Sequence, residues 1–135
     1  MQKSYTADAV VDLSASSDTS AATVDMPGAG VLYVDQIFGR FEEAVASGGF
    51  TSAAGVASVE VAGTEVCTWS TGVTSTARAI GDTVFVTPSA AVTANGGIAT
   101  FAAGDAIEVV TKTAGTGGTV TGTIRFNLPV EFNAG

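Results

Sequence analysis

The sequence predicts an all-β fold, an antiparallel β-sandwich of jelly-roll-like type with short extended terminal segments. The apolar residues are mostly Ala and Val, and Thr, Ser and 17 Gly residues make up much of the rest; β-branched residues suit pleated strands, and Gly suits tight turns. Apolar and polar residues alternate with a period of two along several segments, as in half-buried strands. Turn-forming residues separate these segments at short intervals, which is typical of sandwiches and barrels.

The length and composition indicate one globular domain. The chain has 135 residues, of which 46% are hydrophobic and 13% charged, and such a chain buries about two-thirds of its unfolded surface. We expect a single sandwich over residues 1–135, with an N-terminal strand or arm at 1–13 and a C-terminal tail at 129–135.

The clearest strand is TVTGTIRFNL, residues 119–128. Its inward face is predicted to carry Val120, Gly122, Ile124, Phe126 and Leu128. The same alternation predicts strands at 83–87 and 106–112, with Val84, Val86, Ile107 and Val109 inward, and a strand at 5–13 in which Val11 shares one face with Tyr5 and Leu13. Residues 30–38 are apolar on both faces, as expected of a central strand covered on both sides.

Turn residues punctuate the chain between the predicted strands. They lie at Pro27-Gly28, Ser47-Gly48-Gly49, Gly63-Thr64, Gly81-Asp82, Asn95-Gly96-Gly97, Gly104-Asp105 and Gly115 to Gly118. The stretch FGRFEEAVAS at 38–47 is the one that could hold a helical turn, which Gly48-Gly49 would stop.

The charge excludes several classes of function. The net charge is −8, with five Lys and Arg residues in all, so we expect neither nucleic-acid nor membrane binding.

The start of the chain lacks the apolar core of a secretion signal, and no segment is long enough to span a membrane. The sequence therefore predicts a protein made in the cytoplasm.

The chain has no His, and Cys67 is its one cysteine. The common general base, the His-dependent catalytic triads and the Cys-pair zinc motifs are therefore ruled out. AGTGGTVTG at 114–122 lacks the Lys-Ser/Thr ending of a P-loop and precedes a strand. We expect no enzymatic activity, no cofactor and no metal.

Carboxylates at three places need separate consideration. Asp82 and Asp105 each follow a Gly and precede an alternating run, so we interpret them as turn residues that bond nearby backbone N–H groups. A calcium site on these loops is the alternative. Glu42-Glu43 lack a second acid at a glycosidase spacing.

Trp69 is informative because its face depends on the register of one hairpin. A two-residue loop at Gly63-Thr64 would pair Val61 with Val66 and put Trp69 on the outer face with Glu60. Trp69 would then be half-covered by a loop or part of a subunit contact, and a register error of one residue would move it into the core.

Three arginines lie among apolar or Thr-rich strand residues, at Arg40, Arg78 and Arg125. They either cover solvated strand faces or form ion pairs with carboxylates across an interface. The terminal segments carry more apolar residues than free tails usually do, at Tyr5, Val11, Leu13, Val130 and Phe132. We expect at least one of these segments to cross onto a neighbouring subunit or the shell by strand addition. The predicted interface residues are Tyr5, Val11, Leu13, Arg40, Trp69, Arg125, Val130 and Phe132.

Three stretches carry a resemblance to a known family: VLYVDQIFGRFEEAVASGG, VASVEVAGTEVCTW and FAAGDAIEVVTKTAGTGGTVTGTIRF. Their order of strands and turns resembles that of small β-sandwich capsid decoration (cement) proteins of tailed bacteriophages. The resemblance covers most of residues 30–128 and rests on a pattern of strands and turns without a specific motif.

The resemblance implies a non-catalytic virion protein on the outer surface of a capsid. It would bind the major capsid protein and its own copies, often as a trimer, and bridge neighbouring capsomers. The alternatives are a phage fibre or tail domain or a carbohydrate-binding module for receptor attachment, and a glycan-active enzyme on a jelly-roll scaffold. Exposed aromatic residues would favour the binding module, and paired acids in a cleft would favour the enzyme.

Overall fold

A computed structural model describes residues 2–12, 19–44, 56–70, 79–112 and 123–133 of the chain. Ten antiparallel strands account for most of these residues and confirm the predicted all-β antiparallel fold. The strands are β1 (Gln2–Asp12), β2 (Thr19–Asp25), β3 (Gly30–Tyr33), β4 (Phe38–Phe41), β5 (Val56–Val61), β6 (Thr64–Ser70), β7 (Thr83–Pro88), β8 (Ile98–Phe101), β9 (Ala106–Lys112) and β10 (Thr123–Asn133).

The strands form one continuous hydrogen-bonded path in the order β2-β9-β5-β6-β7-β4-β10-β3-β8, and β1 adds to β10. Strand β7 joins two parts of this path, because Thr83–Phe85 pairs with β4 and Val86–Pro88 pairs with β6. We call the part with β1, β3, β4, β8 and β10 layer A, and the part with β2, β5, β6 and β9 layer B. This order does not confirm a jelly-roll connectivity.

The hydrophobic core draws residues from both layers. The indole of Trp69 in layer B lies 4.8 Å from the ring of Phe126 in layer A, measured between centroids. A Cβ atom at Gly39 would lie 2.8 Å from Cε1 of Phe126, so the glycine leaves room for this ring. The largest fully buried side chains are Phe41, Phe126, Leu32, Ile107, Ile124, Leu128, Val11, Val34, Val59 and Val109.

Strand β10 is the centre of layer A and confirms the predicted inward face from Ile124 to Leu128, whereas residues 119–122 of the predicted strand lie outside the described part. Ile124, Phe126 and Leu128 are fully buried. The strand continues past the predicted end at residue 128, through Pro129 to Asn133. Beyond residue 128 the alternation continues, because Val130 is also buried.

The two terminal segments pair with each other. Strand β1 runs antiparallel to β10 over its whole length, from Gln2 opposite Asn133 to Asp12 opposite Thr123. On the other edge of β10, residues Val130–Phe132 pair with β3. Both edges of this part of the predicted C-terminal tail are therefore used within the chain, and it cannot add to a neighbouring subunit as a strand.

The predicted central strand at 30–38 is divided. A 3-10 turn at Val34–Gln36 separates β3 from β4, and the N–H of Ile37 donates to the carbonyl of Val34 at 3.2 Å. Both strands still pair with β10, so this stretch of chain follows one neighbour with a three-residue interruption.

The hairpin of β5 and β6 has a different register from the predicted one. Its two loop residues are Ala62 and Gly63, both with positive φ, and Val61 pairs with Thr64. One extra residue of β6, Val66, lies in a bulge opposite the step from Val59 to Glu60. This combination turns Trp69 and Cys67 into the core, where they are 3% and 1% exposed. The predicted outer position of Trp69 is wrong.

The helix prediction is also wrong for the residues that the structure describes. Phe38–Phe41 is a strand, and residues 45–47 lie outside the described part. In the described ranges an α-helix is found instead at α1 (Ala90–Ala94). It starts after Ser89, whose Oγ accepts from the N–H of Val92 at 3.2 Å. None of the helices in the described ranges has the length and apolar character needed to cross a membrane.

Candidate interaction surface

The outer face of layer A brings the two described candidate arginines together. Two rows of residues cross the four strands β1, β10, β4 and β7, as the pairing registers show. One row is Val10, Arg125, Arg40 and Thr83, and the other is Asp8, Asn127, Phe38 and Phe85. We call these eight residues the arginine–phenylalanine face. They point outward because their neighbours Ile124 and Phe126 point into the core.

This face exposes large apolar side chains beside the arginines. Phe85 is 77% exposed and Val10 is 43% exposed. Phe38 lies directly opposite Phe85 and is partly exposed. Ile80, in the turn before β7, is 72% exposed. Aromatic residues and arginine are enriched in protein–protein interfaces relative to other surfaces, so this composition is typical of a binding surface.

Arg125 forms ion pairs inside the chain. Its Nε donates to Oε1 of Glu42 at 2.5 Å, and its Nη1 lies 3.4 Å from Oδ2 of Asp8. The hydrogen bond that Arg125 donates to Glu42, followed by the negative charge of Glu42, raises the pKa of Arg125 above its ordinary value. These pairs are exposed to solvent, so they contribute little to stability. The carboxylate partners predicted for an interface are therefore already present within the chain.

Arg40 differs from Arg125 although the two are directly opposite each other on β4 and β10. Within the part of the chain that the structure describes, Arg40 has no hydrogen bond or ion pair. Like charges directly opposite on neighbouring strands repel each other. The guanidinium of Arg40 is thus available to a carboxylate or to an aromatic ring of a partner.

A pocket of about 250 Å³ opens on this surface. It is lined by Arg40, Glu42, Arg125 and Asn127. The lining offers guanidinium and amide donors beside one carboxylate. Such a lining can receive a polar side chain of a partner and fix its orientation, because guanidinium groups donate in a rigid, planar geometry.

The structure separates the other predicted interface residues into two groups. Val11, Trp69 and Val130 are 0%, 3% and 2% exposed, so their side chains are part of the core and the prediction that they contact a partner is wrong. Each of these side chains points from its layer into the core. The alternation in the sequence divides a strand into two faces but does not say which face is buried. Leu13 lies outside the described residues.

Tyr5 and Phe132 meet in a separate aromatic cluster. Their rings make an edge-to-face contact at 5.4 Å, and Phe132 makes a second one with Phe101 at 5.8 Å. Tyr5 is 52% exposed, whereas Phe101 is buried. The exposed ring of Tyr5 therefore rests on its own chain, and this cluster lies near the paired ends of β1 and β10.

Asp82 and Asp105 occupy equivalent turns, as predicted. Oδ2 of Asp82 accepts from the N–H of Ala79, and Oδ2 of Asp105 accepts from the N–H of Ala102, each at 2.8 Å. The glycine before each Asp has positive φ, 91° at Gly81 and 88° at Gly104.

Each of these turns also holds the end of another strand. The N–H of Phe41 donates to the carbonyl of Asp82, and the N–H of Met26 donates to the carbonyl of Asp105, each at 2.9 Å. The glycine N–H of each turn returns a bond of 2.8 Å to the same residue. The two Gly-Asp turns are therefore structural clamps that fix buried residues at strand ends.

The outer face of layer B carries a row of glutamates, whereas the arginine–phenylalanine face carries two arginines. Glu60 lies directly opposite Glu65 on β6 and Glu108 on β9. In the described ranges no three Asp, Glu, His or Cys side chains are arranged to hold a metal ion. This row makes the outer face of layer B acidic, in contrast to the arginine–phenylalanine face.

The thiol of Cys67 has no role on the surface. It is 1% exposed, and burial raises its pKa to about 12. A thiol in this state is almost fully protonated near neutral pH and reacts slowly, because the thiolate is the nucleophile.

Sequence reasoning identified Arg40 and Arg125 but missed Phe38, Phe85 and Val10. The signal for Phe85 was present, because Val84 and Val86 were predicted to point inward and Phe85 lies between them. No known protein-family model matches the sequence, and no curated protein matches it.

Proposed function

We propose that this chain is a non-catalytic structural protein of a virion, which decorates the outer surface of a phage capsid and stabilises it by bridging capsomers. The observation that carries the proposal is the exposed arginine–phenylalanine face on a continuous antiparallel layer. Exposed Phe85 and partly exposed Phe38 lie beside Arg40, which has no ion pair with any residue that the structure describes, and this combination suits contacts with another protein.

The architecture of layer A supports a load-bearing role. Strand β10 is hydrogen-bonded on both edges, to β1 along its whole length and to β3 and β4 on the other side. The described parts of both terminal segments are thus held in the sheet. A subunit that bridges capsomers must resist shell expansion. A sheet that includes both terminal strands deforms little, because many backbone hydrogen bonds would have to break at the same time.

The polar groups of the described residues support a structural role over a catalytic one. Asp82 and Asp105 hold turns, Arg125 is engaged with Glu42 and Asp8, and the pKa of Cys67 is raised by burial. These four side chains are therefore committed to the fold.

The charge supports an outer position in the particle. A chain of net charge −8 is repelled by packaged nucleic acid and is more readily placed outside the shell than inside. Binding to the assembled shell, and not to free subunits, would stabilise the particle by mass action.

The experiment is to measure the copy number of this chain in purified particles by quantitative mass spectrometry. A copy number comparable to that of the shell subunit supports decoration. A few copies per particle would contradict it and indicate a fibre or tail part, and absence from particles would contradict a virion role altogether.

A further inference from the structure

We propose that the arginine–phenylalanine face binds a second copy of this chain, in a two-fold contact between two layers A. This inference goes beyond the capsid role, because it needs only the chain itself. It predicts a dimer, or an even-numbered assembly built from dimers, where the resemblance to decoration proteins implies trimers.

The charge distribution selects this face for self-contact. The chain carries a net charge of −8, so two copies repel each other over most orientations. On this face, however, Arg125 is paired with Glu42 and Asp8, and Arg40 directly opposite adds a second positive charge, so the negative charge of the chain is not concentrated here. The outer face of layer B is acidic, with Glu60 between two other glutamates. Two copies therefore meet with least repulsion through layer A.

The register makes the face complementary to itself. Neighbouring strands are about 4.8 Å apart, and alternate residues on one strand are about 7 Å apart. A two-fold axis that runs across the strands, midway between the two rows, exchanges the rows. Arg40 then lies over Phe38 of the second copy, and Arg125 lies over Asn127 of the second copy. No arginine faces an arginine in this arrangement.

The contacts formed in this way are favourable ones. A guanidinium over an aromatic ring is attracted by the ring, more strongly when water is removed. The same axis places Phe85 over Thr83 of the second copy, which covers a side chain that is 77% exposed in the single chain. A two-fold axis parallel to the strands and midway between β4 and β10 is unfavourable. It would place Arg40 of one copy over Arg125 of the other.

The first test is the mass of the full chain in solution by sedimentation equilibrium at physiological ionic strength. We expect a dimer whose dissociation constant rises at least tenfold in Arg40→Glu and in Phe85→Ser. Thr93→Glu, a change on the exposed surface of α1, is the matched control and is expected to leave it unchanged. Unfolding curves of each variant establish that the fold is intact.

The second test determines which residues of the two copies lie opposite each other. Copies carrying Asp8→Cys are mixed with copies carrying Val10→Cys and treated with a short bis-maleimide, to which the buried Cys67 does not contribute. The proposed axis brings these two positions together, so the mixture should cross-link more than either variant alone. Equal cross-linking in all three samples, a monomeric or trimeric wild type, or a dimer unaffected by both Arg40→Glu and Phe85→Ser would overturn the proposal. A monomer that still binds shells would overturn this contact alone and leave the capsid role standing.

Discussion

The indole ring of Trp69 lies against the ring of Phe126, with the centroids 4.8 Å apart and the planes inclined at 51°. The contact joins β6 of layer B to β10 of layer A, and it places both aromatic rings in the core. Nε1 of Trp69 is buried, and in the described part of the chain it has no hydrogen-bond partner. The rings are therefore held by packing.

Phe126→Ala should lower the free energy of unfolding by about 3–5 kcal/mol, because it leaves a cavity at a fully buried site. Trp69, the one tryptophan of the chain, reports unfolding by its fluorescence in a denaturant titration. Phe85→Ala is the matched control, since Phe85 is exposed, and in dilute solution it should change stability by less than about 0.5 kcal/mol. Similar losses for both variants would show that the assignment of the inner face is wrong.

Ala62→Asn should stabilise the hairpin of β5 and β6 by about 0.5–1 kcal/mol. Ala62 has a φ of 50°, which is unfavourable for alanine and is tolerated better by asparagine, and Asn-Gly is the preferred pair in such loops. Ala62→Val, which adds a β-branched side chain at the same φ, should instead destabilise it. Thermal unfolding of the three proteins compares them, and a rise in stability with valine would contradict the observed turn.

Asp82→Ala and Asp105→Ala should each lower the free energy of unfolding by about 1 kcal/mol. Each change removes the side-chain oxygen that accepts a hydrogen bond from a turn N–H. The asparagine variants keep an acceptor oxygen and should lose less. Calcium should leave the melting temperature of the wild-type chain unchanged. A clear rise on adding calcium that disappears in Asp82→Ala would instead identify a metal site.

Cys67 should make stability depend on alkaline pH. Its pKa is about 12 in the fold, raised by burial, whereas an unfolded thiol titrates near 8.5. As the pH rises above about 8.5, the unfolded state loses this proton first, so the fold loses stability until the pH passes 12. The stability of the wild type relative to Cys67→Ala should fall by about 1 kcal/mol between pH 9 and 10. A constant difference over that range would show that the thiol is not buried.

The alternation of residues predicted the strands well where one face is buried. Ile124, Phe126 and Leu128 lie inward as expected, because a strand with one face in the core imposes a period of two on its sequence. The two Gly-Asp turns were also predictable, since their hydrogen bonds connect residues three positions apart.

The errors arise where the local sequence pattern carries too little information to decide the structure. The loop at Ala62-Gly63 and the bulge at Val66 move Trp69 inward, and a positive φ at an alanine carries little signal in the sequence. The pairing of β1 with β10 joins segments more than a hundred positions apart, which no local pattern encodes. The arginine–phenylalanine face likewise forms only when four separate strands come together.

The resistance of purified particles to heating and to osmotic shock, with and without this chain, tests the proposed capsid role most directly. We predict that particles lacking the chain release their nucleic acid at a lower temperature, and that adding the purified chain back restores the resistance. Particles that keep the same resistance without it, together with a chain that does not rebind to expanded shells, would contradict the account.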